Sequence, residues 1–333
     1  MSKPTRISYG FMFLLLVLVG WLHLATPFIT LLFASFALNK LNHGRTKWTA
    51  VGLFLIVVLL TSYLLVFFLN RAYIALPKIA ATTIPLALDL AEQQGIEMPF
   101  SDYAGLKAMA MDTVKEEAGR VGRFVRFATV EFVELIIGLV VAISMFLNAK
   151  FDLRHEHHIA KDNLYSVTGA EIAERVRTFY DSFTTVMGAQ IIISAINTAL
   201  TAVFVFAVGL PHASIIIALT FICGLLPIIG NLISNTLIIG VALTVSPNLA
   251  LGSLVFLVVV HKLEYFLNSK IIGDRIKNPM WLTLLGLIIG EKLMGIPGMI
   301  LAPVILHYVK IEASKNRVTA EPETPETKPE PGR

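Results

Sequence analysis

The chain has 333 residues, of which 56% are hydrophobic and 15% charged, with a mean hydropathy of +0.74. A soluble domain is roughly 45–50% apolar and about 25% charged, so this composition excludes an ordinary water-soluble fold and sets most of the chain against lipid. The net charge of +4 and pI near 9.1 do not point to nucleic acid, because the basic residues are scattered through loops, where they set membrane orientation.

The uncharged run from Tyr9 to Leu38 is bounded by Lys3 and Arg6 before and by Lys40, Arg45 and Lys47 after. It is too long for the apolar core of a signal peptide, so it is read as structure. Basic flanks on both sides place both ends in the cytoplasm. The run then crosses an even number of times, as a hairpin turning near Thr26-Pro27; one long tilted helix is the alternative. Trp48 to Asn70 predicts a spanning helix leading outward, with Trp48, Tyr63 and Tyr73 as interfacial anchors. Residues 71–130 then mix Asp89, Glu92, Asp102, Lys107, Glu116, Arg120 and Arg126 with apolar residues at helical spacing (Leu106, Met109, Val114, Val121, Val125). That pattern predicts a small helical domain outside the membrane.

Phe132 to Leu147 predicts a return inward, into a loop carrying Lys150, Arg154, Lys161, Arg175 and Arg177. Thr168 and Glu171 have the spacing of a capping box, which predicts a cytoplasmic helix over 170–183 before a span over Thr184–Val208. Leu249 to Leu267 predicts the next span. The Glu-, Pro- and Thr-rich stretch over 314–333 has no apolar run and is expected to be disordered.

Two apolar runs are interrupted. Gly224-Leu225-Leu226-Pro227-Ile228-Ile229-Gly230-Asn231 breaks the first and Gly295-Ile296-Pro297-Gly298 the second. Each half is about 15 residues, or ~22 Å of helix, short of the ~20 residues that a bilayer core requires. Paired broken segments of this kind point to a transporter's binding site, because a broken helix offers free backbone groups at membrane depth. Charge parity makes 212–246 start and end outside and 280–309 start and end inside. The expected fold is therefore all-α: a polytopic helical membrane protein with inverted-topology repeats, two Pro/Gly-broken hairpins pointing in opposite directions, and a small extramembrane domain. Its expected divisions are 1–70, 71–130, 131–313 and 314–333.

Over residues 10–310 the chain resembles the autoinducer-2 exporter family of bacterial inner-membrane proteins, the PerM-type permeases. The residues that carry the likeness are Gly209-Leu210-Pro211, Leu226-Pro227-Ile228-Ile229-Gly230, Glu264, Lys270-Ile271-Ile272-Gly273, Pro279, Gly290, Gly295-Ile296-Pro297-Gly298 and Ala302-Pro303. Asn231 stands where many relatives carry proline. The resemblance implies a homo-oligomeric, multi-pass transporter of small solutes, with both termini cytoplasmic by the charge pattern above. Members are associated with export of the furanone autoinducer-2, with sodium(lithium)/proton antiport, or with no assigned role.

Several polar residues stand out within the apolar segments. Glu264 shares a helical face with His261, Tyr265 and Asn268, and an ionisable group at membrane depth is costly enough to suggest use. Proton or cation coupling is one reading of that face, and an interfacial cluster reaching for water is the other. Glu291 and Lys292 precede the second break and read either as a coupling site or as an ion pair at its mouth. Gln190, Ser194, Asn197, Thr198 and Thr201 form one stripe, and Asn231, Ser234 and Asn235 a shorter one. Either could line a solute pathway or hydrogen-bond between helices. Pro227, Gly230, Gly295, Pro297, Gly298 and Pro303 are the expected hinge residues. Gly286 and Gly290 permit close helix approach, and Glu131 and Glu134 suit the start of a helix. The run His155-Glu156-His157-His158 reads as solvated loop, and lone Cys223 as a packed core residue. No metal, cofactor or nucleic-acid partner is expected. With no P-loop, His-Glu-x-x-His or Gly-x-Ser-x-Gly pattern, the expected function is secondary transport rather than enzymatic catalysis. Export of a small polar solute or signal is the first reading and a cation/proton antiporter the second.

Overall fold

The computed structural model describes residues 2–93, 121–148, 163–226, 229–272 and 279–315, and these are helical apart from short turns. The elements in order are α1 (Lys3–Trp21), α2 (Ala25–Leu41), α3 (Lys47–Gln93), α4 (Val121–Leu147), α5 (Leu164–Val208), α6 (Ala213–Gly224), α7 (Ile229–Val245), α8 (Pro247–Ile272) and α9 (Met280–Ser314). Six of these helices are long and apolar enough to cross a membrane, while α2, α6 and α7 are shorter apolar helices. Pro227, the His155–His158 run, residues 94–120 of the stretch expected to form the extramembrane domain (71–130) and the tail from 316 lie outside the described residues.

The helices α1 and α2 run antiparallel. Thr5, near the start of α1, donates to Glu171 of α5, and Asn39, near the end of α2, donates to Tyr180 of the same helix. The turn between them is Leu22–Leu24, with His23 at φ 55°, just before the expected Thr26-Pro27. Pro27 lies in the first turn of α2, where a missing N–H leaves no hydrogen bond unmade. The proline therefore opens the second helix instead of closing the first.

The helix expected over 48–70 continues as α3 to Gln93. Ala75 and Ile79 are buried in one cluster with Val205, Ile216, Ile238 and Leu257, and Thr83 donates to the Gly240 carbonyl. Residues 72–83 of α3 thus form a wall for α7. Against α2, α4 approaches so closely at Gly138 that a Cβ there would come within 2.6 Å of the Pro27 carbonyl oxygen.

The central element is α5. Its 45 residues make a rod of ~68 Å, more than twice a ~30 Å hydrocarbon core. Asn163 caps it, accepting from the Ser166 amide at 2.9 Å. Thr168 is accordingly buried inside a helix already under way and caps nothing, and no boundary separates 170–183 from 184–208. The earlier asparagine cap won because no proline interrupts the chain between it and Gly209, the left-handed C-cap.

Both interrupted runs are hairpins. In the first, α6 and α7 meet at Gly230, where an added Cβ would fall on the Cys223 carbonyl. In the second, α9 folds back on itself at Gly295 (φ 62°, ψ −144°), a conformation open to glycine and closed to residues with a Cβ. Beyond that kink Gly290 and Gly298 press backbone to backbone, Gly286 lies against Ala302 and Leu306, and Leu287, Met299 and Ala302 fill the space between the arms. The hairpins approach α5 from opposite ends. The first packs its base with Val205 and Leu210. The second runs its returning arm beside Phe183 and Met187 through Leu301 and Val304, and beside Phe179 through Tyr308.

Candidate functional site

The polar stripe of α5 meets the break of the first hairpin. A helix that ends inside a membrane leaves its last carbonyls without intrahelical partners, and no water is at hand to satisfy them. Gln190 supplies its Nε2 to the Gly224 carbonyl at 2.6 Å, and Ser194 its Oγ to the Phe221 carbonyl at 2.8 Å. Gly224 is required beside that serine, since a Cβ would come within 2.5 Å of Ser194 Oγ. Of the two uses open to these residues, the one on view is helix capping.

Further along the stripe the chemistry changes. Asn197 Nδ2 donates to Glu264 Oε2 at 3.1 Å. Asn231 Nδ2 reaches both carboxylate oxygens, Oε1 at 2.9 Å and Oε2 at 2.8 Å. Three helices converge on one carboxylate: α5 gives Asn197, α7 gives Asn231 and α8 gives Glu264. Asn231 stands in the first turn of α7, the end at which the helix dipole favours an anion. Among the described residues no lysine or arginine ion-pairs with Glu264. The Asn197 Oδ1 beside it is buried with no hydrogen-bond partner, as is Thr198 Oγ1 in the same turn. An anionic carboxylate next to an orphaned carbonyl oxygen suits a cation, a proton, or a solute rich in N–H or O–H donors.

The other sequence candidates are dispersed. Ser234 is buried and turns its Oγ back to the Asn231 carbonyl at 3.3 Å, and Asn235 lies half-buried one turn beyond Asn231. His261 is exposed on the turn of α8 before Glu264. Glu291 and Lys292 pair with each other at 3.2 Å with side chains 46% and 77% exposed, an exposed ion pair near the tip of the hairpin. Pro297 occupies the first turn after the Gly295 kink, and Pro303 lies within the returning arm. Thr26 donates to Glu131 at 2.8 Å, so that carboxylate is engaged by α2.

A second polar centre escaped the sequence reading. Arg175, which the charge pattern put in a cytoplasmic loop, is 5% exposed. Its Nη1 donates to Glu312 at 3.1 Å and its Nη2 to Glu171 at 3.3 Å, and its guanidinium lies over the Tyr9 ring at 4.1 Å. Tyr9 OH donates to Glu312 at 3.0 Å, and Thr5 and Ser8 donate to Glu171. Lys315 completes the cluster, donating to Glu312 at 2.9 Å and to Glu174 at 3.3 Å. Burial alone would depress the Lys315 ammonium, but the hydrogen bonds to Glu312 and Glu174 outweigh it and its pKa lies above the usual lysine value. The cluster ties α1, α5 and the last turn of α9 together. Its visible signal was the i,i+4 spacing of Glu171 and Arg175; Glu312 is too distant in sequence to have been joined to them.

Two comparisons bear on what such a scaffold does. Over 144 residues the chain is 28% identical to YdbI of Bacillus subtilis (strain 168), a protein whose name provisionally assigns it to transport; the match covers 42% of this chain and 41% of that relative. The family model described as AI-2E family transporter matches residues 7–314. Taken with the two opposed hairpins, a match of that extent shows that the chain is a multi-pass membrane protein belonging to the AI-2E transporter family.

Proposed function

We propose that the protein is a secondary transporter that exports a small polar solute or signal molecule across a bacterial inner membrane, with both termini cytoplasmic and several copies assembled together. The observation that carries this reading is the Glu264 carboxylate, held by the amides of Asn197 and Asn231 at the break of a hairpin. Around it the backbone is interrupted and α5, α7 and α8 meet, so a small relative movement of α7 would expose the carboxylate and the orphaned Asn197 oxygen to a new partner. Gln190, Ser194 and Thr198 flank this position on α5, and Ser234 and Asn235 on α7. In the proposed cycle Gly230, Gly295, Gly298, Pro297 and Pro303 allow the two hairpins to shift against α5, and Glu264 takes up and releases the coupling ion or a donor group of the solute.

The test is flux in vesicles reconstituted with the full chain, using a panel of small polar metabolites. Glu264→Gln keeps the shape of the side chain and removes its charge, so flux of the transported solute should fall at least about tenfold, the equivalent of one charge-assisted interaction. Unchanged flux in that variant would remove Glu264 from the pathway. The unpartnered Asn197 oxygen beside a carboxylate also favours a second reading, sodium(lithium)/proton antiport. That reading requires sodium- or lithium-driven proton movement reported by a pH dye, lost in Glu264→Gln.

A further inference from the structure

We infer that a cleft between α2 and α5, separate from the Glu264 site, binds the headgroup of a membrane phospholipid that carries both a phosphate and a primary ammonium. The cleft has a volume of about 600 Å³ and is lined by Phe36, Asn39, Lys40, His43, Tyr180, Asp181 and Thr184.

Its height in the membrane follows from charge. On α2, Lys40 ends the uncharged run that began after Arg6, and Asp181 on α5 is the last Asp, Glu, Lys or Arg in the chain before Lys262 on α8. The two helices acquire charge at the same level, because Asn39 donates to Tyr180 OH at 2.8 Å. That level is where a hydrocarbon core gives way to headgroups and where tyrosine collects.

The lining residues supply both signs of charge and leave them free to bind. Nearby Arg45 is spent on the Leu41 carbonyl at 3.1 Å, and Lys47 on the Leu147 carbonyl at 3.0 Å. Lys40 instead lies over the Phe36 ring at 5.9 Å, and none of Lys40, His43 and Asp181 has an ion-pair partner among the described residues. Lys40, in the last turn of α2, and His43, in the turn that follows it, line the same wall of the cleft, so that two donors can share a phosphate. Asp181 faces them from α5, so a purely anionic headgroup meets a repelling carboxylate, whereas an ammonium completes the pairing. The Thr184 hydroxyl, buried without a partner, gives the headgroup a further hydrogen bond. Phe36, on the same wall, gives an apolar surface against which the start of an acyl chain can lie.

The experiment is retention of lipid by the purified, full-length protein in detergent, read by native mass spectrometry after exchange with phosphatidylethanolamine, phosphatidylcholine or phosphatidylglycerol. The wild type should retain phosphatidylethanolamine about tenfold better than phosphatidylglycerol, with phosphatidylcholine, which lacks ammonium N–H donors, in between. Asp181→Asn and Asp181→Ser should each abolish that preference, so the result does not hang on the folding of one variant. The pair Lys40→Gln/His43→Gln should lower retention of all three lipids, while Arg45→Gln should match the wild type. Equal retention of the three lipids by the wild type would overturn the inference, as would a preference untouched by the Asp181 variants. Displacement of phosphatidylethanolamine by an equal concentration of soluble phosphoethanolamine would also overturn it, because the site would then serve a free solute.

Discussion

Two carboxylates on this scaffold have opposite company. Glu312 is 4% exposed and is met by a guanidinium, an ammonium and a phenol. Glu264 is half-buried and is met by two neutral amides. A buried charge costs several kcal/mol unless it is paired, and at Glu312 the pairing is complete, so nothing is left over for a ligand. At Glu264 the amides orient the carboxylate without cancelling its charge, and that residual charge is what an ion or a donor-bearing solute can use. The first centre holds helices together; the second is held ready by them.

The sharpest way to break this contrast is to remove the counter-charge at the first centre. Arg175→Leu leaves Glu312 buried with Lys315 as its remaining cation and takes from α1 the stacking on Tyr9. The expected loss is about 2–3 kcal/mol, the cost of removing a charge-assisted partner while Lys315 stays, read as a drop in the midpoint of thermal unfolding in detergent. Arg175→Met with Glu312→Met should recover most of it, since a pair replaced by apolar volume is close to neutral. If the single variant melted with the wild type, the cluster would not be what joins α9 to α5. Glu264→Gln should behave in the reverse manner. The neutral amide can still meet Asn197 and Asn231, so the unfolding midpoint should stay within the range of a tolerated substitution, about 1 kcal/mol, while flux falls.

How much of this could be read from the residues divides along the same line. The two breaks were legible because glycine and proline announce them locally: α9 leaves helical backbone at Gly295, two residues before Pro297. Glu264, Asn197 and Asn231 were each legible as polar residues in apolar helices, but their meeting was not, since they lie on three helices and only packing brings them together. Lys40 was read only as a flanking charge and Asp181 was not singled out, because nothing local shows that α2 and α5 align there. Arg175 misled for a physical reason: a basic residue after a span reads as a cytoplasmic loop, and its burial depends on Glu312, far along the chain. Thr168 misled because the capping-box spacing is present but Asn163 caps first.

A smaller effect tests whether the α5 stripe caps or conducts. Ser194→Ala removes the donor to the Phe221 carbonyl and should cost roughly 1–2 kcal/mol, the range for losing a cap or a buried hydrogen bond. Gly224→Ala should cost more than Ser194→Ala, because its methyl meets the serine oxygen, and it should be partly rescued when the two are combined. Rescue in unfolding midpoint is the mark of a packing role; a solute-lining role would show in flux and leave the midpoint alone.

The smallest expected effect is at the tip of the second hairpin. Glu291 and Lys292 are adjacent in sequence and largely exposed, and an exposed pair gains little because water screens the attraction and ordering two long side chains opposes it. Glu291→Gln should therefore leave both the unfolding midpoint and the vesicle flux at wild-type values, with Lys292→Gln doing the same. A loss of flux in Glu291→Gln alone would mean that this carboxylate, and not only Glu264, meets the transported species, and the two hairpins would then each contribute one acidic group to the pathway.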